Sequence, residues 1–133
     1  GEVNEDKKKL VDVTKKSLML GINEVAPGKY VGDIGYAVQN YAESNNFSVV
    51  KELVGHGIGK KLHEDPQVPN YGSMNTGPEL KEGMCLAIEP MLNQGSENNR
   101  KHWRACRDHC ANYRRLSCVP WIVLSSVEEG MTL

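Results

Sequence analysis

Three side chains in the middle of the chain have the types and spacing for chemistry: His56, His63 and Glu89. The histidines lie seven residues apart in "LVGHGIGKKLHEDPQVPNYG", residues 53–72, a run rich in glycine and proline. Histidine is the commonest metal ligand and the commonest acid–base residue near neutral pH, so either can ligate, donate or accept a proton. A glycine on each side of His56 lets the backbone turn sharply and lets an ion or substrate come close. Glu89 sits in "LKEGMCLAIEPM" on the minority side of an apolar alternation, where an unpaired carboxylate is costly. Beside Pro90, such a carboxylate is either paired or coordinating.

Spacing removes the better-known glycine motifs. "GHGIGKK" has three residues between Gly55 and Gly59 and no Ser or Thr after the lysine, which excludes a phosphate loop. The dinucleotide fingerprint fits at Gly55 and Gly57 but meets Lys60 where its third glycine belongs. A zincin helix is excluded because Pro66 falls where the helix must continue. The plain alternative is a glycine-rich turn with one incidental histidine.

The elements that must position these residues are legible in the periodicity. A helix is predicted over about 5–21, capped by Asn4 or Asp6, with Leu10, Val11, Thr14, Leu18 and Ile22 on one face. "APGKY" at 26–30 breaks it. A second helix follows over 31–44, with Val31, Ile34, Ala37, Val38 and Tyr41 as its stripe, and "NN" at 45–46 ends it. "FSVV" reads as a short strand leading to the glycine run, and 62–76 reads as loop. "LKEGMCLAIEPM" reads as a strand with Met84, Leu86 and Ile88 on one side and Cys85, Ala87 and Glu89 on the other, closed by Pro90. Helices followed by strands and long loops predict an α+β layer, with helices on one face of an antiparallel sheet.

Bulk properties bound the function classes. The 133 residues suit one compact domain. A formal charge of −1 gives no global pull toward nucleic acid or anionic membrane, and no apolar run approaches a bilayer span, so neither partner is expected. The start "GEVNEDKKKL" lacks the apolar core of a secretory signal. Four cysteines, at 85, 106, 110 and 118, are few for a disulfide scaffold and point to a reducing, cytoplasmic setting. The composition changes near residues 95–100: 12 of the 13 glycines lie at or before Gly95, and both tryptophans lie after it.

"GHGIGKKLHEDPQVPNYG" followed by "LKEGMCLAIEPMLNQG" resembles the bacterial type I methionine aminopeptidases, from Gly1 to about Ser96. The resemblance implies the pita-bread fold, in which two α/β halves enclose a dinuclear metal site. It implies removal of the initiator methionine from nascent proteins, with ribosome association among the expectations. Divalent ions are implied as cofactors, two per complete site and drawn from Co, Mn, Fe or Zn. Carried over by position, His56 matches the family's histidine metal ligand and Glu89 a glutamate ligand that is also assigned as proton acceptor. His63 matches the histidine that contacts the scissile peptide and stabilises the tetrahedral intermediate, so His63 and Glu89 are the catalytic candidates. Leu62 stands where many members have phenylalanine against the substrate methionine.

The pattern also departs from the family. Its metal site takes two aspartates, one histidine and two glutamates, and only His56 and Glu89 have counterparts here. Asp33 and Asp65 stand in the wrong contexts, and no motif like "AHFEHT" supplies the second glutamate. Residues 1–96 therefore read as a partial, truncated second half of the fold, and 97–133 as a divergent tail, frameshifted or disordered. In the tail, His102, Cys106, His109, Cys110 and Cys118 match no standard zinc spacing and read as incidental composition. The basic residues around Trp103 and Tyr113 are a weak nucleic-acid signal. The chain is expected to be inactive by itself, with low stability and the apolar faces of Met84, Leu86 and Ile88 exposed. "VPWIVL" at 119–124 is the one tail run able to pair as a strand. The alternative function is a non-catalytic pita-bread module binding peptide or protein partners. A proline-specific peptidase on the same fold is disfavoured by "EPM" and the short loop after "HEDP".

Overall fold

A computed structural model describes residues 5–94, 118–120 and 123–126. Two helices, α1 (Glu5–Ile22) and α2 (Val31–Ser44), come first, within a residue of the periodicity's bounds. Leu10, Val13, Leu18 and Ile22 bury one face of α1; Val11 is only partly buried. Two buried hydroxyls on that face are satisfied inside the helix, Thr14 donating to the Leu10 carbonyl at 2.7 Å and Ser17 to the Thr14 carbonyl at 2.8 Å. At the start of α2 the Asp33 carboxylate accepts the Tyr30 N–H at 2.7 Å, which occupies a donor the helix leaves unpaired and complements its dipole.

Among the described residues seven strands follow: β1 (Phe47–Val49), β2 (Gly55–Ile58), β3 (Glu64–Val68), β4 (Cys85–Ile88), β5 (Met91–Gln94), β6 (Cys118–Pro120) and β7 (Val123–Ser126). They form a three-stranded sheet, β1-β5-β6, and a four-stranded sheet, β3-β2-β4-β7. Every pairing is antiparallel, as the α+β reading predicts. The helix pair serves both sheets. Leu18, Ile22, Val31 and Ile34 pack with Val68, Leu80, Leu86 and Ile88 of the larger sheet and its loop. Leu10, Val13, Val38 and Ala42 pack with Phe47, Val49 and Leu92 of the smaller one. Glu89 and the buried Pro90 form the two-residue step by which the chain leaves one sheet and enters the other.

Three expectations need correction. The glycine run is a central strand, not the glycine-rich turn of the plain alternative. Residues 62–76 are not continuous loop, because β3 forms within them as an edge strand; such a strand tolerates Pro66 and polar residues that a central one would not. Nor are the strand's apolar residues exposed: Leu86 is 0% and Ile88 1% accessible, and Met84 is partly buried against the same cluster. The helices cover their face, and β7 and β6 pair with the edges of β4 and β5. Ala87 is buried too, so both faces of β4 are covered. "VPWIVL" overlaps two strands, β6 and β7, while most of the tail, 97–117, 121–122 and 127–133, lies outside the described residues. Among the described residues no helix is long and apolar enough to cross a membrane.

The loop from Pro69 to Thr76 lies across α2. Asp33 accepts the Asn75 N–H at 2.7 Å, and Gly72 N–H donates to the Gln39 side chain at 3.3 Å. A Cβ at Gly35 would collide with the Tyr71 carbonyl and sit 2.8 Å from that of Pro69. Gly35→Ala should therefore lower unfolding stability by about 1–3 kcal/mol, the usual cost of forcing volume into a packed contact. Denaturant titration measures this; an unchanged midpoint would mean that the loop does not rest on the helix as described.

Candidate functional site

The site is built on β2. His56 lies opposite Ala87 of β4 on one side and Gln67 of β3 on the other. The glycines flanking it are explained by these neighbours. A Cβ at Gly55 would overlap the Ala87 carbonyl, and one at Gly57 would overlap the Asp65 carbonyl. What leaves no room for a side chain at Gly55 and Gly57 is the main chain of the adjacent strands. After the His56–Gln67 pair, the next partners on these strands are Gly57 and Glu64, leaving Asp65 and Pro66 as a bulge in β3. Bulges bend a strand and re-aim its side chains.

Glu89 follows directly on β4, and its Oε1 lies 3.6 Å from His56 Nε2. Both side chains are largely enclosed, at 15% accessible for His56 and 21% for Glu89. His56 Nδ1 donates to the Gly57 carbonyl at 2.9 Å; a carbonyl only accepts, so the proton sits on Nδ1. In the neutral ring, Nε2 then presents a lone pair to a carboxylate. Two acceptors facing each other call for a proton or a cation between them. Metal–nitrogen and metal–oxygen bonds of about 2.0–2.2 Å can reach both atoms across this gap. A ring held through its other nitrogen by a carbonyl is also the usual support of a metal-binding histidine. The residues present thus fit a divalent ion on this face. Among the described residues, no group of three or more His, Cys, Asp or Glu is placed to hold a metal ion together.

The His63 ring lies beside that of His56, with centroids 4.2 Å apart and planes tilted by 52°. His63 is exposed, and both histidines line an open cleft of about 410 Å³ with Glu64, Asp65 and Gln67. Leu62, just before it, is 69% accessible. Of the two other aspartates considered, Asp33 is buried and engaged by Tyr30 and Asn75, whereas Asp65 is exposed on the cleft wall. His102, Cys106, His109, Cys110 and the basic run lie outside the described residues, as does the side chain of Cys118.

Sequence reasoning missed Glu64. Its carboxylate accepts the Lys61 N–H at 2.6 Å and packs against Gly59, so it braces the turn that delivers His63. The signal was weak, a carboxylate three residues past a backbone donor in a stretch read as loop.

Comparison with known proteins gives the family and the fold. The profile of metallopeptidase family M24 matches residues 1–114. Methionine aminopeptidase 1 of Bacillus subtilis (strain 168) is 55% identical over 96 residues, which is 72% of this chain and 39% of that protein. The solved structure of methionine aminopeptidase from Rickettsia prowazekii superposes with a TM-score of 0.79 at 36% identity, covering 96% of this chain and 51% of the other. That of Thermotoga maritima superposes with a TM-score of 0.71 at 47% identity, covering 74% and 39%. The architecture is that of the pita-bread fold. The chain belongs to metallopeptidase family M24, and it spans about two fifths of the length of the curated relatives it matches.

Glu64→Ala should free the Lys61 amide, raising its hydrogen-exchange rate by about tenfold, as expected for losing one charge-assisted bond at a partly exposed site. The His63 ring signals should move while those of α2 stay in place. Unchanged exchange at Lys61 would remove Glu64 from any part in holding the turn.

Proposed function

We propose that this chain carries one face of the metal site of an aminopeptidase that removes the initiator methionine from nascent proteins in the cytoplasm, beside the ribosome. The observation that carries the reading is His56 Nε2 held 3.6 Å from the Glu89 carboxylate, with the His63 ring alongside, in a member of the M24 family. The 49–55% identity to proteins named methionine aminopeptidases supports the substrate class.

In this reading the His56 imidazole and the Glu89 carboxylate would together hold a divalent ion. Mn, Fe, Co and Zn all accept such a nitrogen–oxygen pair. When bound, two such ions supply Lewis acidity toward the scissile carbonyl and make water acidic enough to attack at neutral pH. Glu89 accepts the proton that the attacking water gives up. His63, exposed on the open side of the cleft, donates a ring N–H toward the peptide carbonyl oxygen as negative charge grows there. The segment 1–96 supplies these groups and 97–133 is a divergent tail.

One observation favours the second reading, a non-catalytic module that binds peptides or a partner. Among the described residues no third side chain is placed to hold a metal ion together with His56 and Glu89, and two ligands do not close a two-ion site. The 133-residue chain by itself should therefore bind Mn or Co weakly, without two-ion stoichiometry, and release no methionine from a Met-Ala peptide. Two tight sites by calorimetry, or turnover abolished by His56→Ala, would show that these residues suffice.

The division of labour is tested in a full-length family enzyme carrying residues 1–94 of this sequence. His56→Ala and Glu89→Ala should each lower metal content along with rate. His63→Ala should keep the metal and cut kcat by about 10²–10³, the usual effect of one lost oxyanion donor. A His63→Ala protein that loses its metal would make His63 a ligand and overturn the assignment.

A further inference from the structure

The main chain around Glu89 poses a problem of position. The side chain's direction is set by the peptide planes on either side of its Cα. The plane before it belongs to the ladder, since Ile88 is paired with Val123 of β7. The plane after it leads into Pro90, which has no N–H with which to extend a ladder. The described β2–β4 register also stops short of it, at His56 and Ala87. Something else must hold the carbonyl of Glu89.

Asn70 does this. It is 1% accessible and lies two residues beyond the end of β3. Its Nδ2 donates to the Glu89 carbonyl at 3.0 Å and reaches the Leu53 carbonyl at 3.5 Å. A carboxamide nitrogen has two N–H groups, and here both point to main-chain acceptors. Those acceptors are not arbitrary. One belongs to the residue that carries the site's carboxylate; the other lies two residues before β2, the strand that carries the site's imidazole. One buried amide thus ties the lead-in of the histidine strand to the exit of the glutamate strand, just where main-chain pairing gives out.

We propose that Asn70 is a positioning residue: its carboxamide sets the Glu89 carboxylate against His56, and so fixes the separation between the two donors. A purely structural buried amide would satisfy the same two carbonyls and stabilise the fold, without governing the His56–Glu89 geometry more than any other core contact does. The two roles differ in what they move. Loss of a merely structural bond lowers the unfolding midpoint and leaves the site of the folded protein as it was. Loss of a positioning bond changes the site in molecules that remain folded.

The test compares Asn70→Leu, which keeps the volume and removes both donors, with Ile34→Val, a core change on α2. Asn70→Ser, whose short hydroxyl reaches at most one carbonyl, serves if the leucine variant does not fold. In the metal-free full chain, NMR signals of the His56 ring and the Glu89 carboxyl carbon should shift in the Asn70 variants and stay in place in Ile34→Val. In the full-length family enzyme carrying residues 1–94, titrated with cobalt(II) alone, the Asn70 variants should bind about 10–100-fold more weakly than that parent enzyme, the usual effect of losing a group that orients a ligand. Ile34→Val should bind like the parent. Only the cobalt arm rests on the metal reading of the site. If the parent itself binds no cobalt, that reading fails, while the His56 and Glu89 signals still decide the role of Asn70. Signals that do not move in folded Asn70 variants, or that move equally in Ile34→Val, would overturn it.

Discussion

The close approach of three strands around His56 is the constraint on which the site depends. Gly55 and Gly57 stand where any larger residue would strike the carbonyls of Ala87 and Asp65. That contact sets the histidine strand between β3 and β4, opposite Ala87, and puts Glu89 within 3.6 Å of its ring. The same closeness explains why a strand here has so little side chain of its own. Its stability comes from the ladder on both sides and from the helices that bury Leu86 and Ile88 beneath it.

Around that centre, buried polar groups do what regular pairing does not. Asp33 joins the start of α2 to the loop at Asn75, and Asn70 joins that loop's beginning to the carbonyls of Leu53 and Glu89. Each lies in a place where an unsatisfied group would cost free energy, and each has its partners. The sheet-to-sheet step at Glu89 and Pro90 is thus held from the side by a loop that itself leans on a helix. This chain of contacts connects the apolar core to the chemistry.

The site has an unequal division of exposure that suits a reaction at a surface cleft. His56 and Glu89 are mostly enclosed, so their mutual orientation is imposed by the fold; His63 and Leu62 stand at the open side. Enclosed donors hold their geometry without reorganising, and exposed ones can meet a ligand arriving from solvent. Glu64 reconciles the two by bracing the turn that carries an exposed histidine back to a fixed strand.

Much of this was legible along the chain because it depends on local period and residue type. The apolar spacing predicted both helices, the pattern at Met84 to Ile88 marked the strand, and the glycine–histidine run with "HEDP" and "EPM" singled out His56, His63 and Glu89. Other features depend on what lies opposite, which no local pattern records. The glycine run looked like a turn because glycine disfavours strands, yet it is a central strand because neighbouring carbonyls leave no room for a Cβ. An edge strand with a proline at its bulge resembles a loop for the same reason. Asn70 lies in the stretch that read as loop, yet it is buried and its Nδ2 reaches carbonyls 17 and 19 residues away. Sequence determined which side chains are able to carry chemistry, since reactivity belongs to residue type. Their separation, their enclosure and the groups that hold them were decided by tertiary structure, because backbone segments distant in sequence supply the partners.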